Sequence, residues 1–369
     1  MLTIEIYGTI IKLNKLWNGF QENETIYQKK EVIKIASIRE VARIAQVSPA
    51  TVSRVINGTA KVDEVKRQRV LDAINETDFH PNELARALFK KSSKIIGMIV
   101  PNIENPFFNE LAKVIEKEAY ENGYRILLCN SNDNQEKELM NIQMLNQLKA
   151  DGVILVTNSE KTMQEVEKYD FPVVLVDRRF SSDKDMAVVE SDNYKGGKMA
   201  TEHLIKCGCK NIVCMRASQS ISSAKQRYLG YSDICKEYGI NEQYIDCDYS
   251  FESGLRKTKE LIKKYPDVDG IIASNDMVAI SVYKILSKKG YRVPEDIQII
   301  GFDNISFSWL FTPEITTIAQ PMREIGKKSV QIIIEHKKVE KNEKENVIDV
   351  KLIQRQTTKI KGWNVWDLQ

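Results

Sequence analysis

Two spacings of apolar residues divide this chain. Between about Ala36 and Asn82 they recur every three or four positions, the period of a helix face. From Lys94 onward, short unbroken apolar runs alternate with stretches of helical period. In the first part, Ser37-Ile38-Arg39-Glu40 has the spacing of a capping box and opens a helix through Val41, Ala42, Ile44 and Ala45. A tight turn at Gln46-Val47 leads to Ser48-Pro49-Ala50-Thr51-Val52-Ser53-Arg54-Val55-Ile56-Asn57. Serine suits the N-cap here and proline the first helical position. Val52 with Val55 or Ile56 packs inward, leaving Ala50, Thr51, Ser53, Arg54 and Asn57 outward. Alone, this run reads equally well as an ordinary surface helix. Behind the first helix it completes a helix-turn-helix pattern, whose second helix lies in the DNA major groove. Asn57-Gly58-Thr59 ends it, Asp63 caps a third helix from Glu64 to about Glu76, and Val65, Val70, Leu71 and Ile74 form that helix's expected inner face. Phe79 closes the small core.

His80-Pro81-Asn82 breaks the chain, and Glu83 to Lys91 is helix-prone, with two leucines and a phenylalanine that a plain linker seldom carries. Strands are then predicted at 95–100, 125–129, 153–156, 173–176, 212–215, 271–273 and 297–301, with amphipathic helices at 107–122, 135–148, 194–206, 254–264 and 277–289. Near-continuous apolar strands alternating with helices imply parallel sheets covered on both faces. So many units suggest two doubly wound sheets, which bind ligands beyond the carboxyl ends of their strands.

Length and composition fit a soluble protein of two or three domains: 369 residues, 42% hydrophobic and 28% charged. The net charge of +3 is too small to argue for nucleic acid, but between Ala36 and Lys91 ten basic residues exceed seven acidic ones. Six cysteines without Cys-x-x-Cys pairs, beside only three histidines, argue against zinc sites and disulfide scaffolds and for buried thiols in a reducing cytoplasm. No run has membrane-spanning length, and no export signal is evident, which argues against a transport binding protein. An enzyme needs a nucleophile with its base, a metal cluster or a phosphate loop. Lys195-Gly196-Gly197-Lys198 is too short and wrongly ordered for the last of these and instead starts a helix. No cofactor is expected. Residues 1–35 lack a clear period and read as an upstream stretch from an early start codon in preference to a true extension.

Taken in order, these motifs resemble the lactose repressor (LacI/GalR) family of bacterial transcription regulators over about Ala36 to Thr358. The resemblance is carried by Ile38-Arg39-Glu40-Val41-Ala42, the run Val47 to Gly58, and His80-Pro81-Asn82 with Ala85 and Leu88. It continues through Pro101 with Asn105-Pro106-Phe107-Phe108, Asp151-Gly152-Val153-Ile154, Asn275-Asp276, and Ile300-Gly301-Phe302-Asp303 followed by Gln320-Pro321. It implies an all-α helix-turn-helix headpiece (36–82) and a hinge helix with linker (83–93). These join a two-lobed α/β core like that of periplasmic binding proteins (94–358), followed by a tail (359–369).

On DNA, the resemblance implies a homodimer on a pseudo-palindromic operator. Pro49, Ala50 and Arg54 face base edges, with Arg54 the residue for guanine. Ser48, Thr51, Ser53 and Asn57 serve phosphates or the cap, while Ala85 and Leu88 enter the minor groove. In the core, Phe107 and Phe108 stack on a sugar face or, in the plainer alternative, pack beneath their helix. Asp177, Arg178, Arg227, Tyr249, Asn275, Asp303 and Gln320 match the family's ligand positions. The implied effector is a sugar, a sugar acid or a sugar phosphate, the last two because Arg178 and Arg227 suit an anion. Release from DNA on effector binding is expected. A catabolite-control or purine-type regulator with a co-repressor is the alternative, which the Asp177-Arg178 pair disfavours. The tail has Trp363 and Trp366 but no leucine heptads, so a dimer is expected rather than a coiled-coil tetramer.

Overall fold

The computed structural model describes residues 37–58, 61–79, 92–179, 186–335 and 345–359. Residues 1–35, His80-Pro81-Asn82, the expected hinge helix with Ala85 and Leu88, and the tail beyond Lys359 lie outside the described residues. The chain divides into two units, residues 1–83 and 84–369.

In the first unit, each helix begins at a side-chain cap. Ser37 accepts from the Glu40 amide to start α1 (Ile38–Ile44), Ser48 from Thr51 to start α2 (Pro49–Asn57), and Asp63 from Lys66 to start α3 (Glu64–Thr77). Gly58, at φ +63°, ends α2 in the left-handed conformation that glycine adopts freely. Val41, Ala42, Ala45, Val52, Val70, Ala73 and Phe79 form the core. The predicted inner face of α3 is corrected at two positions: Val65 is 64% and Leu71 38% exposed. Val70, Ala73 and Ile74 set the packed face at i, i+3 and i+4; Leu71 lies about 100° round the helix from Val70.

The second unit runs β1 (Ile95–Val100), α4 (Pro106–Glu121), β2 (Arg125–Asn130), α5 (Gln135–Gln147), β3 (Gly152–Leu155), α6 (Glu160–Val166), β4 (Val173–Val176) and β5 (Ala187–Ser191). It crosses to a second lobe with α7 (Asn193–Lys206), β6 (Ile212–Arg216), α8 (Ser222–Tyr238), β7 (Gln243–Asp246), α9 (Phe251–Lys264) and β8 (Gly270–Ile272). That lobe continues with α10 (Asp276–Lys288), β9 (Gln298–Asp303), α11 (Phe307–Leu310) and β10 (Thr316–Ala319). The chain returns through α12 (Met322–Ile334) and β11 (Glu345–Ile348), then crosses again to β12 (Lys351–Ile353).

The first-lobe sheet has the order β11-β5-β4-β3-β1-β2 and is parallel throughout; the second has the order β12-β10-β9-β8-β6-β7, with only β12 antiparallel. The lobes are therefore joined at three points, after β5, β10 and β11. Lys195-Gly196-Gly197-Lys198 lies inside α7, whose cap is Asp192. A Cβ at Gly197 would stand 2.1 Å from the Arg227 carbonyl oxygen, and one at Gly230 would stand 2.2 Å from that of Tyr194. These glycines let α7 and α8 cross backbone to backbone, which brings Arg227 against Asn193. Five cysteines are buried, Cys207 is half-buried, and none forms a disulfide. Among the described residues no helix is long and apolar enough to cross a membrane.

Candidate effector cleft and DNA-reading helix

In both lobes the carboxyl ends of the parallel strands face a cleft of about 480 Å3, to which Pro101, Phe108, Asp133 and Arg178 contribute from the first lobe and Tyr249 and Met277 from the second. Asp177 and Arg178 follow β4 directly. Asp177, at φ +65°, and the Arg178 guanidinium are both buried. Arg178 Nη1 lies 3.1 Å from Asp133 Oδ1, whereas its Nε is 3.9 Å from Asp177 Oδ2 and is a buried donor with no hydrogen-bond partner. An unpaired donor beside a cleft is a position that a ligand oxygen satisfies.

From the second lobe, Arg227 donates through Nε to Asn193 (2.8 Å) and through Nη1 to the Ser274 carbonyl (3.0 Å). Its Nη2 stands 3.6 Å from Asp303 Oδ1, and its guanidinium stacks on Phe302, 3.6 Å from the ring centre. Asp303, at φ +111° on the end of β9, also accepts from Gln320 Nε2 at 2.7 Å. Gln320 Oε1 accepts from Ser191 at 2.7 Å, so this one amide ties Asp303 to two of the three lobe crossings.

Burial pushes the Asp303 carboxyl up to about 7, against the pull of Arg227 and the Gln320 hydrogen bond, with Asp177 and Glu110 adding repulsion. Burial likewise raises Asp177, opposed by Arg227, Arg178 and a hydrogen bond from Ser223. Burial raises the Tyr249 phenol too, against the pull of Arg227, and Tyr249 lines the cleft with Arg178.

Six of the sequence candidates thus converge: Asp177, Arg178, Arg227, Tyr249, Asp303 and Gln320. Phe108 lines the cleft as well. Phe107 belongs to the first-lobe core at 3% exposure and meets Phe108 edge-on at 5.1 Å, so for Phe107 the packing alternative holds. Asn275 is committed to structure: its Oδ1 accepts from Val278 N at 2.9 Å to cap α10, and its Nδ2 donates to the Tyr249 carbonyl at 3.3 Å. It orients the loop that carries Tyr249.

Sequence reasoning missed Asp133, Asn193 and Asp276. Asp276 is fully buried, accepts from Thr317 Oγ1 (2.5 Å) and Ile305 N (2.9 Å), and brackets the bend that carries Asp303. Burial, reinforced by Asp303, holds its carboxyl well above the usual range. The adjacent Asn275-Asp276 motif was its only sequence signal.

On α2, Ser48, Pro49, Ala50 and Arg54 are exposed along the first turns. Ser48 Oγ caps the Thr51 amide at 3.2 Å and meets the Thr51 hydroxyl at 3.0 Å. Ser53 and Asn57 are half-buried, and Asn57 Nδ2 donates to Ser53 O (2.7 Å) and Oγ (3.2 Å), so these two partner each other.

Two family models match the chain: "Bacterial regulatory proteins, lacI family" over residues 37–82, and "Periplasmic binding proteins and sugar binding domain of LacI family" over residues 93–361. The ribose operon repressor of Halalkalibacterium halodurans is 37% identical over 88% of this chain and 98% of its own. The HTH-type transcriptional repressor PurR of Photobacterium profundum is 33% identical over 86% of this chain and 96% of its own. Among solved structures, a periplasmic binding protein/LacI transcriptional regulator from Alkaliphilus metalliredigens, complexed with D-xylulofuranose, is 32% identical with a TM-score of 0.64. It covers 72% of this chain and all of its own. The lac repressor dimer bound to operator shares the fold at a TM-score of 0.79 and 24% identity, over 88% of this chain and 99% of its own.

Proposed function

The chain belongs to the LacI family of bacterial regulatory proteins, as a DNA-binding repressor with a sugar-binding core, and from that premise we propose that it works in the cytoplasm as a homodimer. It leaves a pseudo-palindromic operator when a neutral pentose, ribose or a close relative, fills the cleft. The observation that carries the choice of ligand is the balance of charge. Four carboxylates (Glu104, Asp133, Asp248 and Glu252) and one guanidinium (Arg178) line the cleft, and the deeper Arg227 is already paired with Asp303. A sugar acid or phosphate meets net repulsion there, whereas hydroxyls find carboxylates to accept from them and the spare Arg178 Nε. Ribose and xylulofuranose in the names of two relatives point the same way.

In this assignment Asp177, Arg178, Arg227, Tyr249 and Asp303 contact the sugar, Phe108 covers its apolar face, and Gln320 and Asn275 position Asp303 and Tyr249. The division into headpiece, hinge, core and tail keeps the boundaries 36–82, 83–93, 94–358 and 359–369. The homodimer reading is supported by exposed apolar side chains on both lobes. Tyr120 and Leu128 lie on the first; Phe307, Trp309 and Leu310 lie on the second. A hydrogen bond from Ser306 N to Glu110, at 2.7 Å, ties the segment just before the second patch to the start of α4.

Calorimetric titration tests the ligand assignment. D-ribose binds and ribose 5-phosphate does not; tighter binding of the phosphate overturns it. The pH profile has a definite sign. Hydroxyl donors favour ionised Asp303, whose carboxyl titrates near 7 before the sugar arrives. Ribose affinity therefore falls as pH drops below about 7, approaching tenfold per pH unit for one coupled proton, and is flat above it. Asp177, also raised, acts in the same direction. Asp303→Asn binds more weakly and removes the Asp303 part of this slope.

On the DNA side, Arg54→Ala weakens binding to a selected operator by about 1–3 kcal/mol and binding to random duplex far less. Fluorescence anisotropy on both DNAs measures this, and equal losses on the two demote Arg54 to a phosphate contact.

A further inference from the structure

We propose that Asp151 is the positioning residue that couples the sugar-binding core to the headpiece: its carboxylate clamps the chain at the point where it enters the core. The inference rests on the reading that sugar binding controls DNA binding, and it adds the part that carries the signal across the core boundary.

Asp151 immediately precedes β3. Its Oδ1 accepts from the Ser93 amide at 2.7 Å and from the Ser93 hydroxyl at 3.1 Å, and its Oδ2 accepts from the Ser92 hydroxyl. The Ser93 hydroxyl oxygen also accepts from Ile95 N at 3.2 Å. Three donors from two consecutive residues on one carboxylate is a dense arrangement for a half-buried position where a chain merely enters a sheet. The next residue, Lys94, is held at φ +57°, in the left-handed region that a lysine rarely occupies. Its carbonyl accepts from Arg125 N at 2.8 Å, and its ammonium sits 4.1 Å from the centre of the Tyr124 ring. A conformation of this kind persists where the surroundings over-determine it, and here they do so from both neighbouring strands.

The position of the clamp gives it a role. Asp151 N donates to Ile95 O at 2.8 Å, so the clamp grips the starts of β1 and β3, while the cleft lies beyond their carboxyl ends, where Pro101 follows β1. Six extended residues separate the two ends, roughly 20 Å of buried parallel strand. The first-lobe sheet therefore moves as one piece with the clamp. A rotation of that lobe about the three crossings is passed to Ser92 and Ser93 without slack, and so to whatever precedes them in the chain. Removing the carboxylate cuts three hydrogen bonds at the boundary and leaves every cleft residue untouched.

The test compares the full-length wild type with Asp151→Ala and, separately, with the Ser92→Ala/Ser93→Ala double variant, which leaves the carboxylate in place and removes two of its donors. Three quantities are read: the Kd for D-ribose by calorimetry, the operator Kd by anisotropy, and the ratio of operator Kd with and without saturating D-ribose. Wild type gives a ratio of at least about fivefold. Both variants retain D-ribose binding within about twofold, bind operator more weakly without sugar, and show a ratio that falls towards one. Either folded variant keeping the wild-type ratio overturns the clamp. Ribose affinity falling in parallel with the ratio also overturns it, because Asp151 is then only part of the core's stability. A wild type that binds operator but ignores every sugar overturns the underlying reading and the coupling with it.

Discussion

Arg227→Ala abolishes sugar-driven release from the operator while the headpiece still binds DNA. Arg227 ties several parts of the second lobe together behind the cleft: it pairs with Asp303, donates to Asn193 and the Ser274 carbonyl, and holds Phe302 under its guanidinium. Its removal leaves Asp303 and Asp177, both already raised by burial, with less positive charge to hold them ionised. Breaking a buried ion pair by deleting one partner typically costs about 3–5 kcal/mol. That cost falls on folding stability; the lost charged donor to the sugar is worth up to about 3 kcal/mol, a loss in ribose binding of roughly a hundredfold. Calorimetry on the variant measures it directly, and a Kd within about threefold of wild type removes Arg227 from the site. Arg227→Lys tests the geometry more finely, since a lysine ammonium keeps the charge but cannot donate in the guanidinium's fixed fork to Asn193 and Ser274 at once.

The second large effect is expected far from the cleft. Leu310→Asp converts the protein to a monomer and lowers operator affinity by about a hundredfold or more. Leu310 is 60% exposed and lies beside Trp309 at 53% and Phe307 at 50%, on a four-residue helix with little core beneath it. Three large apolar side chains in four residues, left to solvent, mark an interaction surface. A carboxylate placed among them has no partner when a second copy docks. Two headpieces joined in a dimer raise each other's effective concentration on adjoining half-sites, worth about 10²–10⁴ in avidity. A monomer forfeits this. Sedimentation velocity with operator anisotropy tests both halves of the statement, and a variant that stays dimeric at micromolar concentration places the interface elsewhere.

The parts legible in the sequence were those where one local signal suffices. Ser37, Ser48 and Asp63 announced three helix starts because a cap is a matter of a few adjacent atoms, and all three side chains make the cap hydrogen bond. Most central strands were legible because burial on both faces leaves little but Val, Ile and Leu, as in Val173–Val176, whereas the inner strands Ala187–Ser191 and Thr316–Ala319, with Glu190 and Ser191 in one and two threonines in the other, were not expected. The edge strands Gln243–Asp246 and Glu345–Ile348, and the short Lys351–Ile353, were not expected: a strand with one open side tolerates Gln, Asp and Glu, which removes the apolar run. The helix Ser222–Tyr238 was missed because it opens on two serines and carries Gly230 at its centre, and that glycine is there for the crossing with Gly197.

In the site, the family resemblance supplied positions but not their division of labour. Asn275 and Gln320 resemble ligand contacts by place, yet both ends of each amide are occupied within the protein. Phe107 and Phe108 are neighbours in sequence on a helix, so their side chains lie about 100° apart and only one faces the cleft. Long-range partners left the weakest trace. Asn193 on α7 and Asp133 after β2 became visible only once the sheets had brought Arg227 and Arg178 to them.

In the proposed function a neutral pentose weakens the grip of a dimer on its operator. Anisotropy of a labelled operator, selected from random DNA by the protein itself, is followed while D-ribose is added at physiological salt. Operator Kd rises by at least about fivefold, with half the change at the ribose concentration that half-saturates the core by calorimetry, and ribose 5-phosphate leaves it unchanged. An operator affinity that ignores ribose, or that tightens with a purine base, contradicts it.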